Sequence, residues 1–169
     1  TEGEQEVVLR AAVAFRNEYP FLLDHPDVSA VAANTVEIGA YLQELHRHGR
    51  LDTRFQPVRL EAGYHEPCHL RALGAGRPLL DLIQLIPELK VHCVEKGCSG
   101  MAGAFGLTRE NFAASIQIGW PLISRMRVGD FATGLTECSG CKLQMEQGTP
   151  TPTLHPLLIL AWAYGFLPE

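Results

Sequence analysis

The stretch PVRLEAGYHEPCHLRALG, residues 57–74, decides how the rest of the chain is read. Val58, Leu60, Ala62 and Tyr64 alternate with Arg59, Glu61 and Gly63, the period-two pattern of a half-buried strand, and Cys68 follows just past its end. Two further segments repeat this arrangement. Leu89, Val91 and Cys93 alternate with Lys90 and His92 before Cys98, and a short strand over about 131–136 precedes Cys138 and Cys141. Helical patterns lie between. One is expected from about Gly76 to Ile86, ended near Pro87. Another starts near Thr108, presents Phe112, Ile116, Trp120 and Ile123 on one face, and should bend or break at Pro121. A last apolar helix follows His155-Pro156, with proline where a helix tolerates it best. Alternating strands and helices predict an α/β fold, a parallel sheet flanked by helices.

Cysteine placement then becomes a spatial statement. All strands of a parallel sheet point their carboxyl ends to one edge, where ligands bind. The segments after the three strands would therefore deliver Cys68, Cys98, Cys138 and Cys141 to one place. Each arrives on a turn entering a helix, where free backbone N–H groups favour a thiolate. Gly97, Gly100, Gly103 and Gly106, in GCSGMAGAFG, would let the backbone approach a bulky cofactor. As a phosphate loop this stretch lacks both the glycine spacing and the Lys-Ser/Thr. Cys93 shares a strand face with Leu89 and Val91 and reads as a buried core thiol.

Residues 1–50 read as a helical lead-in without reactive groups. VVLRAAVAFRNEY, residues 7–19, is predicted helical up to Tyr19-Pro20. A second helix carries Val28, Val31, Thr35, Ile38, Leu42 and Leu45 at steps of three and four, capped by Asp27 and ended by Gly49. The 169 residues suit one domain, and 46% apolar with 20% charged residues is an ordinary globular composition. A net charge of −5 without a basic cluster argues against nucleic acid. The longest apolar run, LLILAWAY at 157–164, is too short to span a bilayer, and the polar first ten residues do not read as a signal peptide. Five cysteines without secretory features point to a reduced compartment with metal or redox thiols. The chain opens on Thr1, which reads as a piece of a longer protein.

YHEPCHLRALG, VEKGCSGMAGAFGL and TECSGCKLQMEQGT, in this order, resemble the cysteine-rich CCG domain family. That family includes the B subunit of heterodisulfide reductase, the iron–sulfur subunit of glycolate oxidase and the C subunit of anaerobic glycerol-3-phosphate dehydrogenase. The match looks closest to the C-terminal iron–sulfur region of FAD-linked oxidases, and it covers residues 56–169. The resemblance implies a single CCG-type domain over 1–169 at the C-terminal end of a longer polypeptide, behind a preceding CCG repeat. It implies an iron–sulfur cluster on Cys68, Cys98, Cys138 and Cys141. The family's Cys-Cys-Gly is Cys98-Ser99-Gly100 here, so serine stands where a second cysteine is expected. Four thiols remain, the complement of a [4Fe–4S] cluster. The implied function is electron transfer from an FAD-containing dehydrogenase domain or subunit, acting on a 2-hydroxy acid or glycerol 3-phosphate, to a quinone or other carrier. The implied location is cytoplasmic, peripheral to a membrane through partners.

Two other readings of the thiols stay open. Four cysteines also describe a zinc site stabilising a non-redox interaction module. Cys138 and Cys141 alone could serve a thiol–disulfide oxidoreductase. His65 and His69 flank Cys68 and are expected to contact the cofactor's surroundings, with Ser99 as a hydrogen-bond donor and Gly100 as a point of close backbone approach beside it. His92 and His155 read as ordinary hydrogen-bonded histidines. Glu66 and Glu95 are possible acid–base groups around which nothing in the sequence organises a substrate.

Overall fold

The computed structural model describes residues 4–166; the expected lead-in residues 1–3 and domain residues 167–169 lie outside them. Its centre is a four-stranded parallel sheet of β1 (Leu60–Tyr64), β2 (Leu89–Cys93), β3 (Thr133–Leu135) and β4 (Thr153–Leu154), in the order β2-β1-β3-β4. The predicted α/β class is what the chain adopts. Helices α1 (Glu4–Val13), α2 (Tyr19–Leu22), α3 (Val28–Asn34) and α4 (Ile38–Arg47) precede the sheet. Helices α5 (Cys68–Ala72), α6 (Pro78–Ile83), α7 (Phe112–Val128), α8 (Ser139–Met145) and α9 (Pro156–Ala163) are threaded between and after the strands. Among the described residues no helix is long and apolar enough to cross a membrane.

Both faces of the sheet are covered. Ala62, Tyr64 and Leu135 meet Leu79 and Ile83 of α6 and Ile159 and Leu160 of α9, all buried. Each of the leucines and isoleucines stabilises the fold by roughly 1.5–3 kcal/mol, well above any exposed ion pair. On the other face Leu122 and Met126 of α7 pack with Met145 of α8 and Phe131. Close approach there depends on two glycines paired across β1 and β3, Gly63 and Gly134. A Cβ at Gly63 would stand 2.6 Å from the Phe131 ring, and one at Gly134 2.9 Å from the Met145 methyl. The expected half-buried β1 is thus buried at Gly63 as well as at Ala62 and Tyr64.

The helical lead-in departs from the expectation in detail. Helix formation does not stop at Tyr19-Pro20: a π-helical turn (Ala14–Glu18) follows α1, and α2 starts beyond it with Pro20 in its first turn. In a first turn the missing proline N–H would have no intrahelical acceptor, so nothing is lost. The single helix expected over 28–45 is two. Thr35 is extended, its hydroxyl donates back to Val31 at 2.8 Å, and the chain restarts at Glu37. Asp27 makes no side-chain cap, whereas the buried Glu37 carboxylate accepts the Ala40 N–H at 2.9 Å. The break lets α4 turn Gly39 onto α6, where a Cβ would be 2.7 Å from Leu79. Gly49, at φ +66°, ends α4 as expected.

Helix α7 runs unbroken through Pro121. Gln117 and Pro121 are both exposed, so the carbonyl left without a donor faces water. Its buried face is Ser115, Gly119, Leu122, Ile123 and Met126; Phe112 and Trp120 are about half exposed, contrary to the expected stripe. Small residues face inward because the Cys98 loop crosses there: a Gly119 Cβ would lie 2.3 Å from the Ser99 carbonyl.

His155 caps α9, its Nδ1 accepting the Leu157 N–H at 3.1 Å, and it is buried. Burial pushes the imidazole down from 6.5 to about 4. The unfolded chain therefore takes up this proton first as pH falls, so the stabilisation is whole above 6.5 and drains away towards pH 4. The loss is on the order of 3 kcal/mol. His155→Asn keeps a cap acceptor but cannot titrate, so its urea midpoint should fall less than the wild type's between pH 7 and pH 4. Parallel curves for the two proteins would contradict this.

Candidate functional site

The carboxyl ends of β1, β2 and β3 carry the cysteine loops, as the alternation predicts. Cys68 opens α5 behind Pro67, Cys98 lies in the loop between β2 and α7, Cys138 is the residue before α8, and Cys141 lies in that helix. All four line one small cavity of ≈ 20 Å³ with His69 and Ser99. An adjoining cavity of ≈ 100 Å³ is bounded by Cys68, Cys98, Ser99 and Cys141 together with His65 and Arg71. Cys138 and Cys141 form the buried floor, and Cys68 and Cys98 the exposed rim. All five cysteines are free thiols. Among the described residues no three His, Cys, Asp or Glu side chains converge closely enough to hold a single metal ion.

Local hydrogen bonding distinguishes the thiols. Cys141 donates to Cys138, which also takes backbone N–H groups of Cys141 and Gly140 at the open start of α8 and a bond from His69. These donors hold Cys138 well below the ordinary thiol range, and the same bond with burial pushes Cys141 upward. Cys141 Sγ also lies 3.3 Å from Ser99 Oγ. Cys68 is raised by burial and then by the neighbouring Cys98 and Cys138. The Gly100 N–H donates to Cys98 Sγ at 3.3 Å, and His69 Nδ1 lies 3.7 Å from Cys68 Sγ. Gly100 sits at φ +86°, with the space for its missing side chain taken by the α7 backbone: a Cβ would be 2.2 Å from the Ser115 carbonyl. Its absent side chain thus serves packing while its N–H serves the sulfur.

His65 is buried, bonded to the Val94 backbone, and pushed down to about 4 by burial. His92 contacts Glu61 at 2.8 Å on the surface. Cys93 is the clear correction: it is exposed, not a core thiol, with Arg77 Nη1 3.6 Å from its sulfur. It is the last residue of the edge strand β2, beside the start of α6. Glu66 and Glu95 are both tied to Arg77, at 3.1 and 3.2 Å. Sequence reasoning missed Arg77 and also Glu137, a buried carboxyl that accepts the Tyr64 hydroxyl at 3.0 Å. Burial pushes Glu137 up to about 8 against the opposing effect of that bond. Nothing local marks it, since Tyr64 ends β1 and lies 73 residues away in the chain.

A parallel sheet whose carboxyl edge gathers four thiols from three loops defines a cysteine-bearing α/β domain. Over 108 residues, 64% of this chain, it is 34% identical to the C subunit of the anaerobic glycerol-3-phosphate dehydrogenase of Escherichia coli strain K12, and equally to that of strain O157:H7. That C subunit is one of the proteins the motifs were read as resembling. The chain spans about a quarter (27%) of the length of these relatives. No family model and no solved structure matches it.

Proposed function

We propose that the chain is an iron–sulfur electron-transfer domain serving a dehydrogenase. The observation that carries this is the set of four thiols from three loops around one cavity. Thiolate is the donor iron–sulfur clusters use, and a cluster spreads its ligand sulfurs around several irons. A single zinc would instead draw all of them to roughly 2.3 Å from one point. Cys68, Cys98, Cys138 and Cys141 would hold a [4Fe–4S] cluster, which when bound takes up and releases one electron at a time.

The chain's own groups have definable parts. The start of α8 offers N–H groups to Cys138, and Gly100 does the same for Cys98. N–H···S bonds of this kind stabilise negative sulfur and raise a centre's potential. Ser99 keeps a hydroxyl beside Cys141 without a thiol's ligating power. His65 and His69 close the β1 side, His65 as a neutral group. Buried Cys138 and Cys141 exclude water from the floor, and the exposed Cys68 and Cys98 rim is the side from which electrons pass. The partner would be an FAD-containing dehydrogenase domain or subunit oxidising glycerol 3-phosphate or a 2-hydroxy acid. A quinone or other carrier would accept the electrons on the cytoplasmic side of a membrane, and a preceding CCG repeat would share the relay.

One observation favours a second reading, thiol–disulfide exchange: Cys138 is held towards thiolate by Cys141. Both sulfurs are buried, however, and Cys68 and Cys98 have no part in such a reaction. Anaerobic purification followed by iron, sulfide and zinc analysis separates the readings. A brown protein bleached by dithionite, with about four irons per chain, is expected. Colourless protein with stoichiometric zinc, or metal-free protein active with a dithiol, would overturn the cluster.

A further inference from the structure

A cavity of ≈ 400 Å³ adjoins the thiol site at the carboxyl ends of β1 and β2, sharing His65, Glu66, Arg71 and Gly97 with its ≈ 100 Å³ part but lined by none of its four thiols. That is within the size range of small-molecule sites. Arg71, Arg77 and Lys96 lie on its walls against two carboxylates, Glu66 and Glu95. Both carboxylates are taken by one cation. Arg77 donates through Nε to Glu66 at 3.1 Å and through Nη1 and Nη2 to Glu95 at 3.2 Å. Arg71 reaches Glu66 only at 3.9 Å, and Lys96 has no ion pair among the described residues. Two cations therefore face the cavity with little to balance them, in a chain whose net charge is −5. A recess lined this way focuses positive potential and concentrates anions.

We propose that this cavity binds a small oxyanion-bearing metabolite, a carboxylate or phosphate ester, through Arg71 and Lys96, with Arg77 holding the wall in place. Arg71 supplies the planar fork that matches such groups, and Lys96 a mobile point charge. Binding requires no metal in the neighbouring cavity, so its failure and failure of the cluster reading are separate results. Calorimetric titration of the purified chain at low ionic strength, with succinate and with inorganic phosphate as probes, tests it. Saturable binding of at least one probe is expected, weakened about tenfold or more by Arg71→Gln with Lys96→Gln. Arg59→Gln, which removes a cation next to the amino end of β1, away from this cavity, should leave it unchanged. Because Cys93 lies on the same wall, the bound probe should also slow its alkylation. Absence of saturable binding by both probes would overturn the proposal, as would binding untouched by the double substitution or weakened equally by Arg59→Gln.

Discussion

Changing Cys98 or Cys138 to Ala is expected to remove most of the bound iron, whereas Cys93→Ala should leave it intact. The first two thiols lie on the shared cavity, where Cys98 accepts the Gly100 N–H and Cys138 accepts those of Gly140 and Cys141. Cys93 points to the other cavity and is exposed, so its truncation should cost well under about 1 kcal/mol, unlike a core deletion. Ser99→Ala completes the comparison. Removing this hydroxyl from beside Cys141 should keep the iron and shift the potential, because a hydroxyl ligates iron poorly. Iron and sulfide content, with EPR of dithionite-reduced samples, reads all four variants. Iron loss on Cys93→Ala equal to that on Cys98→Ala would remove the assignment. So would loss on Ser99→Ala in a folded protein.

Gly100→Ala should be the most damaging single methyl in the molecule, costing about 3–5 kcal/mol. Two effects add. The residue sits at φ +86°, where an L side chain is strained, and the new Cβ would lie 2.2 Å from the Ser115 carbonyl. Backbone on both sides leaves nothing flexible to give way. Gly97→Ala is the control: its φ is +83°, but nothing stands within 4 Å of the added carbon. Only the conformational strain remains there, about 1–3 kcal/mol. Urea unfolding of both variants separates strain from overlap. Equal midpoints would mean that the Cys98 loop does not pack on α7 as described.

Much of the architecture is legible in the chain because it rests on local periodicity. Val58 to Tyr64 alternate whatever surrounds them, and a strand followed by a helix three times over leaves a parallel sheet as the economical arrangement. That topology also carries the thiols together, since every strand of such a sheet ends at the same edge. Cys68, Cys98, Cys138 and Cys141 are therefore assigned to one cavity by topology alone, without knowledge of any contact. His155 at the start of α9 and Gly49 at the end of α4 were equally readable, because caps act within one turn.

Tertiary packing settled what periodicity leaves open. Parity assigned Cys93 to the face of Leu89 and Val91, but parity does not say how far a covering helix extends, and Cys93 stands at the exposed end of an edge strand. Of the expected stripe on α7, Ile123 is buried but Phe112 and Trp120 are half exposed, because the contact with the Cys98 loop selects small residues, Ser115 and Gly119. Gly63 pairs with Gly134, Tyr64 meets Glu137, and Arg77 ties Glu66 to Glu95. Local spacing in the sequence thus determined the strands, the helix caps and the edge where the thiols meet. Register, crossing distance and long-range pairing decided which side chains touch, because those contacts join residues far apart in the chain.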